Sequence, residues 1–204
     1  MLMVDQCPYC GFGEVTDLDH YLPKSIYKAL SVYPRNLIPS CSRCNRAKHA
    51  HVPEAQSQGM LHPYFAQIPQ VRFFVADVDF SKNALTTNFK IESATIDAKL
   101  GQSLNFQLTR LKLNERYPKQ INTFLFGLRT GLAELIETND PALLREFLRR
   151  SALDMENRFG VNDWRSALLF GLSANDEFCD GGAKAYFAAR TPTAQPALGL
   201  PQVV

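Results

Sequence analysis

The chain has no hydrophobic run approaching ~18 residues, and its opening MLMVDQC lacks a basic segment followed by an apolar one. The first absence excludes an ordinary membrane-spanning helix, and the second excludes a secretory signal. A cytoplasmic protein with no membrane partner is the expectation. Acid is missing from one long stretch. Between Tyr21 and Pro53 there is no Asp or Glu, while Lys24, Lys28, Arg35, Arg43, Arg46 and Lys48 supply six cations. Net charge is only +2, so the local imbalance carries more information than the total. A polyanion-binding surface and a solvated basic face both fit it. No internal repeat is present. Aromatic residues do not interleave with these cations clearly enough to argue single-strand stacking.

Cysteine is scarce too. There are five in 204 residues, and four of them form two CxxC pairs, Cys7 with Cys10 and Cys41 with Cys44. That pattern fits a cytosolic metal site better than a disulfide framework. Each knuckle brings two sulfurs to one ion, and two knuckles complete the tetrahedral shell that Zn²⁺ prefers. Gly11 and Gly13 ease the first turn. Redox dithiols are the alternative, but neither pair sits at a strand-to-helix junction of thioredoxin type. Four thiolates leave no open position for water, so a zinc ion here is structural. Cys179 stands outside the pattern and reads as a core thiol.

What is present between the knuckles is DLDHYLPKS, Asp17 to Ser25, followed by NLIPSCSRCNRAKH, Asn36 to His49. Asp19, His20, Asn36 and Asn45 all lie close to one zinc frame. Phosphodiester hydrolysis needs a group that takes a proton from water near neutral pH, and imidazole is suited to that. It also needs charge stabilisation at the phosphate, which a hard cation such as Mg²⁺ gives through few protein oxygens. On a strand, Asp19 and His20 point to opposite faces. On a helix beginning near Cys41, Asn45, Lys48 and His49 share a side, and the helix start favours an anion. Taken singly, His20 reads as a packed histidine, Asp19 as a backbone cap and Asn36 as a turn residue. Their order inside the zinc frame is what favours chemistry.

The ordered set Asp-His, Asn-Leu and CxxCN with a lysine three residues on resembles the HNH endonucleases, the ββα-metal family, in its zinc-stapled form. The resemblance covers about Cys7 to His51. It implies His20 as general base, Asp19 and Asn45 as ligands of a catalytic Mg²⁺ or Mn²⁺, and Asn36 as the brace that orients the histidine. Lys48 and Arg46 would contact phosphate, and Lys24 and Arg43 extend the nucleic-acid surface. The last motif position is often His in this family, so His49 or His51 stands as a substitute for Asn45, which is preferred because it follows the knuckle. The implied function is DNA hydrolysis leaving 3′-hydroxyl and 5′-phosphate ends. Free-standing HNH proteins with a helical C-terminal region resemble nucleases of phage defence and mobile elements, some beside a partner ATPase as in the Septu type of system. The alternative is a non-catalytic zinc-bound module that binds nucleic acid or a partner.

The remainder reads as structure. Val71 to Phe80 and Ala84 to Ala94 predict a hairpin turning at Ser81-Lys82-Asn83. Ile96, Leu100, Leu104, Leu108 and Leu111 predict a helix. Pro118 is expected to open a second helix, with Ile121, Leu125, Leu128 and Leu132 on its apolar stripe. Asp140 and Pro141 cap and start a third helix, and Trp164 to Leu172 a fourth. The expected fold class is α+β: a zinc-stapled HNH module over 1–63, a hairpin plus helical domain over 64–188, and a loose Pro-rich tail over 189–204. His62 is expected to pack at the module's exit, and Trp164 and Arg165 to serve packing and a cap. The first cysteine is six residues from Met1, and a fuller protein is expected to carry more structure before it. Oligomeric state and DNA sequence preference are not legible.

Overall fold

The computed structural model describes residues 5–53 and 58–189, so all but the first residue of the expected tail lies outside the described residues. The architecture is α+β, as the sequence predicts. Strands β1 (Asp17–His20) and β2 (Leu37–Ser40) pair antiparallel, with Asp19 opposite Ile38 and His20 opposite Leu37. Helix α1 (Ser42–Lys48) follows directly. Strands β3 (Phe74–Ser81) and β4 (Ala84–Ile91) form the hairpin. Helices α2 (Ala98–Arg110), α3 (Leu113–Glu137), α4 (Pro141–Phe159), α5 (Trp164–Ala174) and α6 (Ala183–Ala188) complete the chain.

Local chemistry explains these elements. Lys82 and Asn83 both take positive φ, the demand of a two-residue hairpin turn whose twist matches the strands. Ala76, Val78 and Phe80 face inward while Asp77, Asp79 and Ser81 face solvent. Asp97, Asp140 and Asp163 each accept backbone N–H groups at a helix start. Pro141 occupies the first turn of α4 as expected.

The start expected at Pro118 is corrected. Helix α3 begins at Leu113, after Lys112 in the left-handed conformation, and Pro118 lies inside it. A proline there forfeits one intrahelical hydrogen bond. The register is set instead by Leu113, Arg116, Tyr117 and Ile121, all buried. Asn114 adds to this by accepting from Phe89 N–H and donating to its carbonyl, which fixes the helix to β4.

Helix α5 is nearly enveloped. At Gly171 a Cβ would meet the Ala76 carbonyl oxygen at 2.6 Å, so glycine permits the approach of α5 to β3. The buried core runs continuously from Cys7, Tyr9 and Cys10 through Leu113, Tyr117 and Trp164 to Leu172 and Tyr186. Cys179 is buried in it. Among the described residues, no helix is long and apolar enough to cross a membrane.

Candidate functional site

The zinc frame is built from both knuckles. The four cysteine sulfurs are buried and lie within 4.8 Å of one another, with Cys10 and Cys41 at 4.0 Å. A tetrahedral zinc–thiolate shell requires sulfurs about 3.8 Å apart, given bonds of roughly 2.3 Å. The donor set and its compactness therefore fit a structural Zn²⁺. The backbone turns toward the sulfurs. Gly13 N–H donates to Cys10 Sγ at 3.3 Å and Cys44 N–H to Cys41 Sγ at 3.4 Å. A Cβ at Gly13 would lie 2.8 Å from Cys41 Sγ, so this glycine is required for closeness, whereas Gly11 is required for its positive φ. Hydrogen bonds from Cys44 and Cys7 pull the Cys10 thiol well below its ordinary pKa.

The helical region reaches into this frame. Arg116, on α3, is buried and donates to Cys44 Sγ at 3.2 Å and to Cys41 Sγ at 3.8 Å. Its guanidinium also stacks over Phe12. Four thiolates around Zn²⁺ carry two net negative charges, and Arg116 offsets one. Burial alone would lower its pKa, but the hydrogen bond and charge of Cys44, with Cys10 and Cys41, outweigh that and hold it above its ordinary value. Three more contacts close the seam. Trp164 Nε1 donates to Gly11 O at 3.3 Å, Arg165 to Gln6 Oε1 at 3.0 Å, and Gln107 Nε2 to Tyr9 O at 3.3 Å. Trp164 and Arg165 thus pack across the seam, while the cap of α5 is Asp163, which accepts the Arg165 N–H. Neither Arg116 nor Gln107 was legible as a partner of the zinc frame, because long-range contacts leave no local spacing signal.

Strand β1 distributes the motif between its two faces. Asp17 and Asp19 face α1; Leu18 and His20 face the other way. Asp19 is only 3% exposed. Its Oδ2 accepts from the Tyr9 hydroxyl at 2.7 Å and its Oδ1 from Lys48 Nζ at 3.1 Å. Burial and the Asp19 charge push the Tyr9 pKa up, so Tyr9 remains a donor. Lys48 also donates to the His20 carbonyl at 2.8 Å. The ammonium expected on a phosphate is therefore buried against Asp19, while Lys24, Arg43 and Arg46 are exposed. One helical turn back, Asn45 Nδ2 donates to Asp17 Oδ2 at 3.0 Å. Asn45 is thus joined to Asp17 rather than to Asp19. The Asp17 role was missed, although strand period two from Asp19 points to it.

His20 is half-buried, and its Nε2 lies 3.0 Å from the Ser31 carbonyl oxygen. A carbonyl only accepts, so Nε2 carries a hydrogen, and in the neutral imidazole the lone pair is on Nδ1. Asn36 organises the loop that supplies this carbonyl. Its Oδ1 accepts from Leu22 N–H at 2.8 Å, and its Nδ2 donates to Leu22 O and Leu30 O, each at 3.1 Å. Leu30 precedes Ser31, so the buried amide fixes the residue beside the imidazole's partner. His49 is exposed with positive φ, and His51 stacks on Phe106. His62 packs among Tyr21, Tyr64 and Phe65, as expected.

Residues 7–51 match the HNH endonuclease family. Protein ea31 of Escherichia phage lambda is 39% identical over 62 residues, which are 29% of this chain and 21% of that protein. The Septu protein PtuB of Bacillus thuringiensis is 34% identical over 64 residues, 29% of this chain and 24% of that relative. The match therefore spans less than a quarter of either relative's length. No solved structure matches the chain.

Proposed function

We propose that the protein is a metal-dependent HNH endonuclease that hydrolyses DNA phosphodiester bonds in the cytoplasm. The observation that carries this reading is the His20–Ser31 hydrogen bond, which holds the imidazole as the Nε2–H tautomer with Nδ1 free to take a proton from water. His20 is the general base and Asn36 the residue that positions it. Lys24, Arg43 and Arg46 take up neighbouring phosphates, while Lys48 braces Asp19.

The oxygen donors of Asn45, Asp17 and Asp19 fit a hard cation in kind. Asn45 would hold Mg²⁺ or Mn²⁺ together with Asp17, or with Asp19 where Lys48 yields its oxygen. The cation supplies stabilisation of the charge that builds on the phosphate. Similarity to the Septu protein supports a role in anti-phage defence beside a partner ATPase.

A second reading, a non-catalytic zinc-bound module that binds nucleic acid or a partner, is favoured by the burial of Asp19 with both oxygens already bonded. Nicking of supercoiled plasmid separates the two. The wild type with added Mg²⁺ or Mn²⁺ is expected to nick, and His20→Ala to lose roughly 10²–10⁴-fold in rate with zinc content intact. Nicking that is equal in both proteins overturns His20 as the base. DNA retention without nicking, indifferent to chelation, supports the second reading.

A further inference from the structure

Beside His20, on its face of β1 and in the loop that follows, stand several exposed apolar side chains. Leu18 is 46% exposed, Ile26 60%, Val32 82% and Tyr33 48%. Three of these lie in the loop between β1 and β2, and Lys24, Lys28 and Arg35 stand exposed among them. The loop is not slack. Tyr27 N–H bonds Pro23 O, Leu30 N–H bonds Tyr27 O, Ser31 N–H bonds Lys28 O, and Tyr33 N–H bonds Leu30 O. Asn36 ties both ends together. A ladder of turns therefore holds the exposed Val32 one residue from the carbonyl that bonds His20.

Large apolar side chains exposed on a loop held by its own backbone bonds have a cost in water and point to a partner. Charge identifies its kind: no acid occurs between Tyr21 and Pro53, so an acidic polymer fits and a basic one does not. Geometry then fixes the place. A general base works only within hydrogen-bond reach of its water, so a phosphate served by His20 brings the neighbouring Val32 onto the same stretch of duplex. Apolar wedges flanked by cations enter the minor groove and part a base step.

We propose that the loop over residues 24–35 is a DNA wedge. Val32, shouldered by Ile26 and Tyr33, enters the minor groove beside the scissile phosphate and unstacks one base step. Lys24, Lys28 and Arg35 hold the flanking phosphates. The wedge rests on the nuclease reading. It adds to that reading a preference for easily kinked steps such as TA and CA/TG at a fixed distance from the cut.

The test uses the full chain as His20→Ala, so that duplex stays uncut, with 2-aminopurine placed at successive positions of a labelled duplex. Binding is expected to raise fluorescence at one step. Val32→Ala is expected to weaken binding about tenfold and to remove the rise, leaving the salt dependence unchanged. Arg35→Ala is expected to lower the slope of log K against log salt by about one and to leave the rise in place. Binding with no rise at any position, or a rise unaffected by Val32→Ala, overturns the wedge. Wild-type nicking that persists unchanged in Val32→Ala overturns the wedge and leaves the nuclease reading standing. Binding and unstacking without wild-type nicking retains the wedge as a binding device and overturns the nuclease. Absence of DNA binding at low salt overturns both.

Discussion

The zinc frame and the His20 loop occupy one small module and are built in opposite ways. The frame is buried, its sulfurs receive backbone N–H groups, and Arg116, Trp164 and Gln107 reach it from helices far away in sequence. The loop is exposed, held by short-range turns and one asparagine, and its imidazole keeps a free nitrogen. The contrast separates what holds the module together from what the proposed reaction would use. Perturbing the frame should unsettle the whole molecule, whereas perturbing the loop should alter what the molecule does while leaving it folded.

The largest effect is expected from the frame. Structural zinc typically contributes roughly 10–16 kcal/mol in small modules, so even partial loss exceeds any other single change here. Cys44→Ser should bind zinc substoichiometrically. Because the one tryptophan, Trp164, is bonded to Gly11 of the first knuckle, its fluorescence should shift in the same step. Zinc stripped by chelator with unchanged tryptophan emission would show that the helical region stands alone, and the comparison would fail.

Arg116→Met comes next. It removes the positive partner of a buried anionic cluster, a loss of about 3–5 kcal/mol. Zinc release to a chromophoric chelator should accelerate and the melting temperature should fall. Arg116→Lys should recover part of both, since it restores charge without the two-pronged geometry. A zinc-release rate equal to wild type in Arg116→Met would remove Arg116 from the frame's support.

On the loop side, Asn36→Ala deletes three hydrogen bonds to Leu22 and Leu30 and should cost about 2 kcal/mol. Its distinguishing mark is functional. On the proposed nuclease reading, nicking should fall at least tenfold at temperatures where the variant is folded and zinc-loaded, because the Ser31 carbonyl is no longer held for His20. Asn36→Asp, which keeps only the acceptor, should recover less activity than stability. A variant that loses stability and keeps its rate would make Asn36 structural only.

The same contrast explains what the sequence disclosed. Motif chemistry is local, so CxxC, Asp19-His20, Asn36 and Asn45 stood out together, and both the module and the hairpin-plus-helix order followed from spacing and periodicity. Contacts across the chain were invisible. Nothing near Arg116 announces a thiolate partner 72 residues away, and nothing in CPYC says that Tyr9 will donate to Asp19. Lys48 was misjudged in surroundings rather than in identity. A cation three residues after Asn45 looks solvent-facing until α1 folds onto β1 and turns it onto Asp19. Pro118 misled for a different reason: a local breaker was outweighed by the burial of Leu113 and Arg116 a turn earlier.

The smallest effect concerns His62, beside the loop's exposed edge. Its Nδ1 accepts from the Tyr64 N–H at 3.2 Å, so the folded state holds it neutral, and burial draws its pKa below the ordinary histidine value. Unfolded, the same imidazole takes a proton at about 6.5. The contribution to stability is therefore full above that pH and is lost as pH falls through the lower folded value. His62→Asn keeps an acceptor near Nδ1 and cannot titrate there. Melting temperatures measured from pH 7.5 to 5.5 should fall more steeply in the wild type than in His62→Asn, by a degree or so at most given the ring's partial exposure. Parallel curves would mean that the Tyr64 hydrogen bond, which a proton on Nδ1 removes, contributes nothing measurable to stability. The ring contacts with Tyr21, Tyr64 and Phe65 would then outweigh it in what the residue contributes.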